Sequence, residues 1–248
     1  MENFIVLLIC SSQYKPTQSC QNTVNMEDLE IETGYLSQVD GSTHYKTSST
    51  TVLCSITGPI EPKSRQELPT KLAFELIVRP AMGVPTTREV AIQDKLNSVL
   101  KQIVVGYLYP RQLCQITFQI LEAGENVELF DVKEIISCVN AAILAFIDAA
   151  IALQSMAVGV VIAVTYGDEL IIDPSNEIMQ NSKSVHGLVL ELVDGSQVVK
   201  NVLLLDSNGD FDESTLFKVL QVGEENILKL SKQFRKLVET KIQKSLNN

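Results

Sequence analysis

Apolar and polar positions alternate, or run apolar in short blocks, from residue 29 to residue 80. "LEIETGYLSQVDGST" predicts a strand that turns at Asp40-Gly41. "STTVLCSITGPI" predicts a β-branched strand that stops at Gly58-Pro59, and "TKLAFELIVRP" another that Pro80 closes. The period then changes. Val90, Ile92, Leu96, Val99, Leu100 and Ile103 fall on one face of an amphipathic helix, with Thr86 or Thr87 as its cap. "QLCQITFQILEAG" returns to a strand. "DVKEIISCVNAAILAFIDAAIAL" is apolar nearly all round, which predicts a helix buried on most sides, between a sheet and something else.

The order then recurs. "VGVVIAVTY", "ELIID", "SVHGLVLELV" and "QVVKNVLLLD" predict strands, with a short helix or turn after "ELIID". A long helix follows from about Asp212 to Leu246, carrying Leu216, Val219, Leu220, Ile227, Leu230, Phe234 and Val238 on one stripe. Strands then helices, twice over, predict an α+β fold: mixed sheets around buried helices in two pseudo-repeated halves. No linker separates the halves, so residues 26–248 are expected to form a single domain. The stretch from Ser11 to Asn25 is polar and without periodicity, and residues 1–25 are expected to be a disordered extension, with Met26 as an alternative start.

Composition narrows the class. The chain has 248 residues, 45% of them hydrophobic and 20% charged, enough for a sizeable core. "VNAAILAFIDAAIAL" is interrupted by Asn140 and Asp148 and is too short to span a membrane. "MENFIVLLIC" begins acidic and no convincing cleavage site follows, which argues against a secretion signal. Cys10, Cys20, Cys54, Cys114 and Cys138 are scattered without a CxxC, so no zinc site is expected. The last three lie in apolar stretches and read as buried, reduced thiols of an intracellular protein.

The net charge of −10 argues against an independent nucleic-acid binder. The charge is uneven, however. Between Pro62 and Arg111 there are eight bases and four acids, a local +4 that leaves −14 for the remainder. Those bases are suited either to RNA, if partners supply more positive charge, or to a solvated face with ion pairs to a neighbouring subunit.

Local motifs for chemistry are few. "DSNGDFDE" fails as a calcium loop, since Phe211 stands where Gly is needed and Phe217 where Glu is needed. An Asn208-Gly209 turn with Asp210 or Asp212 as helix cap explains it better. His44 and His186 are isolated and read as structural or surface residues. Neither phosphate-loop glycine pattern occurs. Asp173 and Glu177 are four apart and could share a helical face compatible with one Mg²⁺, yet Asp-Pro after a strand is also an ordinary turn.

"VDGSTHY", "TTVLCSITGPIEPKSRQELP", "RPAMGVPTTREV", "YPRQLCQITFQILEAG" and "NAAILAFIDAAIAL", in this order and spacing, resemble RNase PH-like proteins over about Leu29 to Leu246. "GPIEPKSRQELP" and "LIIDPSNE" are most similar to the eukaryotic RNA exosome, to its ring subunit most resembling bacterial RNase PH. The resemblance implies an RNase PH-like domain over 26–248. Active members of the family degrade RNA from its 3′ end with phosphate as nucleophile. An Arg clamps the phosphate, and a pair of acids serves metal binding or proton transfer.

This chain departs at both places. The clamp position falls on Glu128, or on Ile135 when counted from the following helix, with Lys133 the only base between them. The acid pair falls on Glu177 and Lys183. The resemblance therefore implies a non-catalytic structural subunit of the exosome ring, with no catalytic residues, no metal and no cofactor. Its implied partners are other RNase PH-like subunits in a hetero-hexamer, S1/KH cap proteins, a hydrolytic exoribonuclease and single-stranded RNA in the channel, with no membrane. Arg65, Arg79, Arg88, Arg111 and Lys63 are the expected RNA contacts. Residence in nucleus, nucleolus and cytoplasm follows on the same basis. The rivals are a working phosphorolytic 3′-to-5′ exoribonuclease and an α+β protein-interaction adaptor outside RNA metabolism.

Overall fold

The computed structural model describes residues 29–193 and 198–246. The expected extension over 1–25, Met26, Cys10 and Cys20 lie outside the described residues. The first half contains β1 (Glu30–Thr33), β2 (Gly41–Lys46), β3 (Thr51–Ile60), β4 (Ala73–Arg79), α1 (Thr87–Ile103), β5 (Leu113–Glu122) and α2 (Val132–Asp148). The second contains β6 (Met156–Val164), β7 (Leu170–Ile172), α3 (Asn176–Gln180), β8 (Ser184–Val193), β9 (Val198–Gly209) and α4 (Glu213–Leu246).

The first sheet has strand order β1-β2-β3-β5-β4 and is mixed: β4 runs parallel to β5 and the other pairs are antiparallel. A parallel pair needs a crossover, and α1 supplies it. The second sheet, β7-β6-β8-β9, is antiparallel throughout. Helix α2 packs on β2 and β3 of the first sheet and on β6 and β8 of the second. Every residue from Val132 to Phe146 is therefore buried, as its all-round apolar pattern requires. Helix α4 covers β6 and β8.

Thr86 is the cap of α1: its hydroxyl accepts the Arg88 N–H, and Glu89 reaches back to the Thr86 N–H, a capping box. Cys54, Cys114 and Cys138 are buried free thiols. His186 is fully buried, with Nε2 2.9 Å from Ser184 Oγ and Nδ1 2.8 Å from Ser207 Oγ. His44 stacks on Tyr35. Among the described residues no helix is long and apolar enough to cross a membrane.

A strand end and a turn expected from local residues are absent. Strand β3 does not stop at Gly58-Pro59 but continues to Ile60, through a cis peptide bond. A register shift between Thr57 and Ile60 takes Pro59, which has no N–H, out of the ladder. Asn208-Gly209 likewise belongs to β9, paired with Val185 and Ser184 of β8. The chain turns only afterwards, and the Asp212 carbonyl accepts the Thr215 and Leu216 N–H groups at the start of α4.

The Asp-Gly-Ser motif acts in the scaffold. Asp40 Oδ2 accepts the Gly58 N–H at 2.8 Å, and Ser42 donates its N–H to Asp148 Oδ2 at 3.0 Å. Gly41 lies between them against the last turn of α2.

Candidate functional site

The first N–H groups of a helix need acceptors from outside it. In α2 Asp131 occupies the cap position without a side-chain cap bond. The acceptor comes instead from the loop after β5. Glu125 Oε2 takes the Lys133 N–H at 3.2 Å and Oε1 takes the Glu134 N–H at 3.0 Å. A carboxylate there is favoured by the helix dipole. Burial works against it: desolvation, reinforced by Glu134, pushes the Glu125 carboxyl up to about 7 despite the two backbone bonds and nearby Arg88.

Lys133, in the same turn, is buried, with 2% of its side chain exposed. Its ammonium donates to Ser49 Oγ at 2.7 Å and pairs with Asp173 Oδ1 at 3.3 Å. The second oxygen of Asp173 accepts the Ser48 hydroxyl at 2.9 Å. The start of α2, the end of β7 and the loop between β2 and β3 are thus tied together. Asp173 takes a left-handed conformation (φ 49°) to reach this contact. Beside the pair is a cavity of about 70 Å³, lined among others by Tyr45, Asn140 and Gln233. That is room for ordered water and not for a nucleotide, whose sites run to several hundred Å³.

Glu128, Ile135, Glu177 and Lys183 do not line this cavity. Glu128 is exposed in the loop before α2. Ile135 is buried in the core, 1% exposed, so that position has no access to a ligand. Glu177 is exposed on α3 and Lys183 is half-buried just before β8. Asp173 and Glu177 do not share a helical face, because Pro174 and Ser175 separate Asp173 from the first turn of α3. Among the described residues no group of three or more His, Cys, Asp or Glu side chains could hold a metal.

The five expected RNA bases separate into two groups. Lys63, Arg65 and Arg111 are exposed near the starts of β4 and β5, in loops joined by the Arg111 N–H to Leu68 carbonyl bond and the Gln66–Glu75 contact. Arg111 also lies 3.4 Å from Glu67. Arg79 is the last residue of β4, whose seven residues span about 20 Å, and Arg88 lies beyond that end. Arg79 is exposed. Arg88 is turned inward: its guanidinium is 2.7 Å from Glu134 and 3.4 Å from Glu89, and it donates to the Phe130 carbonyl at 2.8 Å. It neutralises Glu134 at the start of α2 and Glu89 in the first turn of α1, both within its own chain.

Glu125, Ser48 and Ser49 were not anticipated from the sequence. Glu125 lies eight residues before Lys133 and matches no local capping pattern. The serines reach the site from another strand pair, 84 residues from Lys133 in the case of Ser49.

The family model for the RNase PH 3′ exoribonuclease family, domain 1, matches residues 25–152. The chain is 52% identical over 215 residues to exosome complex component RRP46 of Saccharomyces cerevisiae, covering 86% of this chain and 96% of that protein. The fold superimposes on rice (Oryza sativa) Rrp46 with a TM-score of 0.74 at 21% identity, over 90% of this chain and 98% of that one. It also superimposes on a chain of an archaeal exosome core, TM-score 0.65 at 16% identity, over 84% and 86% of the two chains. The matched family segment runs from before β1 to just past α2 and includes Ser49 and Lys133 but not Asp173, and the chain belongs to the RNase PH-type 3′ exoribonuclease family.

Proposed function

We propose that this chain is a structural subunit of an RNA exosome ring and carries no phosphorolytic activity of its own. The subunit assignment is carried by its 52% identity across nearly the whole of a yeast exosome component. The absence of activity is carried by the Lys133–Asp173 pair. Lys133, the only base between the two expected clamp positions in the sequence, is buried and paired with Asp173 within the chain. Glu128 adds a negative charge that repels phosphate, and Lys183 stands where an acid is required. Loss of an oxyanion-stabilising donor alone lowers kcat by about 10²–10³ in a characterised enzyme, and here both halves of the machinery are altered.

In such a ring the chain supplies packing surface and channel wall. Strand β9 is an edge strand of 12 residues with Val198, Val202 and Leu205 exposed, a surface suited to cover by a neighbour. Neighbouring RNase PH-like subunits complete the hetero-hexamer. S1/KH caps and a hydrolytic exoribonuclease complete the machine, in nucleus, nucleolus and cytoplasm. Arg65, Lys63, Arg111 and Arg79 are the bases available to RNA phosphates. A body of net charge −10 binds RNA through them only when partners add positive potential.

The test is purification of the tagged full chain from cells at low salt, with identification of what accompanies it. Ring and cap proteins in stoichiometric amounts are expected. Recovery of a homo-oligomer with no RNase PH-like partner contradicts the assignment.

A further inference from the structure

Helix α4 is divided by charge. From residue 229 to residue 246 it carries six bases, Lys229, Lys232, Arg235, Lys236, Lys241 and Lys244, against one acid, Glu239. That is a local +5 on a chain of net charge −10. All six bases are exposed. Lys241 pairs with Asp148. Among the described residues the other five have no carboxylate within ion-pair distance. The helix dipole favours bases only in the last turn, which accounts for Lys244 and not for Lys229 to Lys236. Like charges three and four residues apart weaken a helix, so clustering them here gains the isolated chain nothing.

The same helix borders an open apolar groove. A cavity of about 360 Å³ lies where α4 passes the end of α2, the start of β6 and the end of β8. Ile147, Leu153, Leu192, Phe234 and Val238 line it, together with exposed Arg235. Its size reaches the range of binding pockets.

We propose that the C-terminal half of α4 docks an acidic segment of a partner protein, which seats an apolar side chain in this groove and sets its carboxylates against Lys229, Lys232, Arg235 and Lys236. The charge of the face calls for an anionic partner, and the groove for one with an apolar anchor. Single-stranded RNA uses bases beside aromatic platforms, but Phe234, the one aromatic residue from 229 to 246, is buried. RNA phosphates alone would leave the groove uncovered. An anionic lipid surface needs the apolar face of the helix, which is already packed on β6 and β8. An acidic peptide supplies both chemistries. Binding by the isolated chain is measured without reference to ring membership.

The probe is a fluorescein-labelled peptide of Glu residues around a central Leu-Leu pair, titrated with the full chain and followed by anisotropy. The same peptide with Ser-Ser at its centre and an oligouridylate of equal charge are run beside it. Wild type should bind the Leu-Leu peptide saturably and the Ser-Ser peptide at least about tenfold more weakly, because the apolar anchor is lost. The Leu192 and Val238 amide signals of ¹⁵N-labelled chain should shift on saturation. The triple variant Lys229→Glu, Lys232→Glu, Lys236→Glu changes only exposed side chains. It should keep its melting temperature and lose roughly tenfold or more in affinity at low salt.

No saturable binding, equal affinity for the two peptides, or binding retained by the triple variant overturns the proposal. Tighter binding of the oligouridylate, lost in the same variant, overturns it in favour of an RNA face. If the triple variant does not fold, wild-type affinity for the Leu-Leu peptide must still fall as salt rises, and indifference to salt counts equally against it.

Discussion

Gly41→Ala should destabilise the protein by about 3 kcal/mol although it adds a single methyl group. A Cβ at this position would lie 2.4 Å from the Ala145 carbonyl oxygen and 2.7 Å from both the Ala149 N and its Cβ. Two of the three obstacles are backbone atoms, so no rotamer change relieves the contact. Either β2 must move off α2 or the last turn of α2 must distort. The flanking bonds resist both: Asp40 holds Gly58, and Ser42 is held by Asp148, which also pairs with Lys241 of α4. For a chain of this size the expected fall in melting temperature is roughly 6–12 °C. Thermal unfolding followed by circular dichroism checks it, and a fall of a degree or less would show that β2 does not lie against α2 as described.

The second large effect is expected at Asn140. Strand β7 pairs with β6 only from Ile162 to Val164, which leaves the Gly159 edge of β6 without a strand partner there. Asn140, inside α2, completes that edge. Its Oδ1 accepts the Gly159 N–H at 2.9 Å, and its Nδ2 donates to the Gly159 carbonyl at 3.0 Å and to Tyr45 Oη at 3.1 Å. A carboxamide is suited to the place because it presents a donor and an acceptor side by side.

Asn140→Leu keeps much of the bulk and loses all three bonds. Buried polar groups without partners cost about 1–3 kcal/mol each, so a loss of roughly 3–5 kcal/mol is expected. Tyr45→Phe removes only one participant and should cost about 1 kcal/mol. Urea denaturation of the two variants gives the ratio. Equal, small losses would mean that water already satisfies Gly159.

The legible part of the fold was the part set locally. The stripe on α1, its Thr86 cap and the all-round apolar face of α2 follow from side-chain period and from contacts within a few residues. Turn residues misled where a strand absorbed them. Gly58-Pro59 lies in a register shift of β3, and Asn208-Gly209 in the final pairs of β8 and β9. The Asp-Gly-Ser motif was recognisable as a resemblance. Its physical purpose, a close approach to Ala145 and Ala149 a hundred residues later, was not.

The candidate site was half legible for the same reason. Asp173 and Lys133 were both noted in the sequence, but not that they meet 40 residues apart. The fixed spacing of Asp173 and Glu177 implied a helical pair that Pro174 prevents. Arg88 was read by its type as an RNA contact. Its partner Glu134 lies 46 residues onward, on another helix, and spacing alone carries no trace of it.

On the proposed reading, phosphorolysis is absent because the chain's own side chains occupy the cleft through the Lys133–Asp173 pair. The most direct measurement is release of nucleoside diphosphates from 3′-labelled single-stranded RNA by the purified chain alone, with phosphate and Mg²⁺. No release above the protein-free control is expected at any phosphate concentration. Phosphate-dependent shortening from the 3′ end, lost on Asp173→Asn substitution, would show that the Lys133–Asp173 pair opens and that the cleft is a working active site.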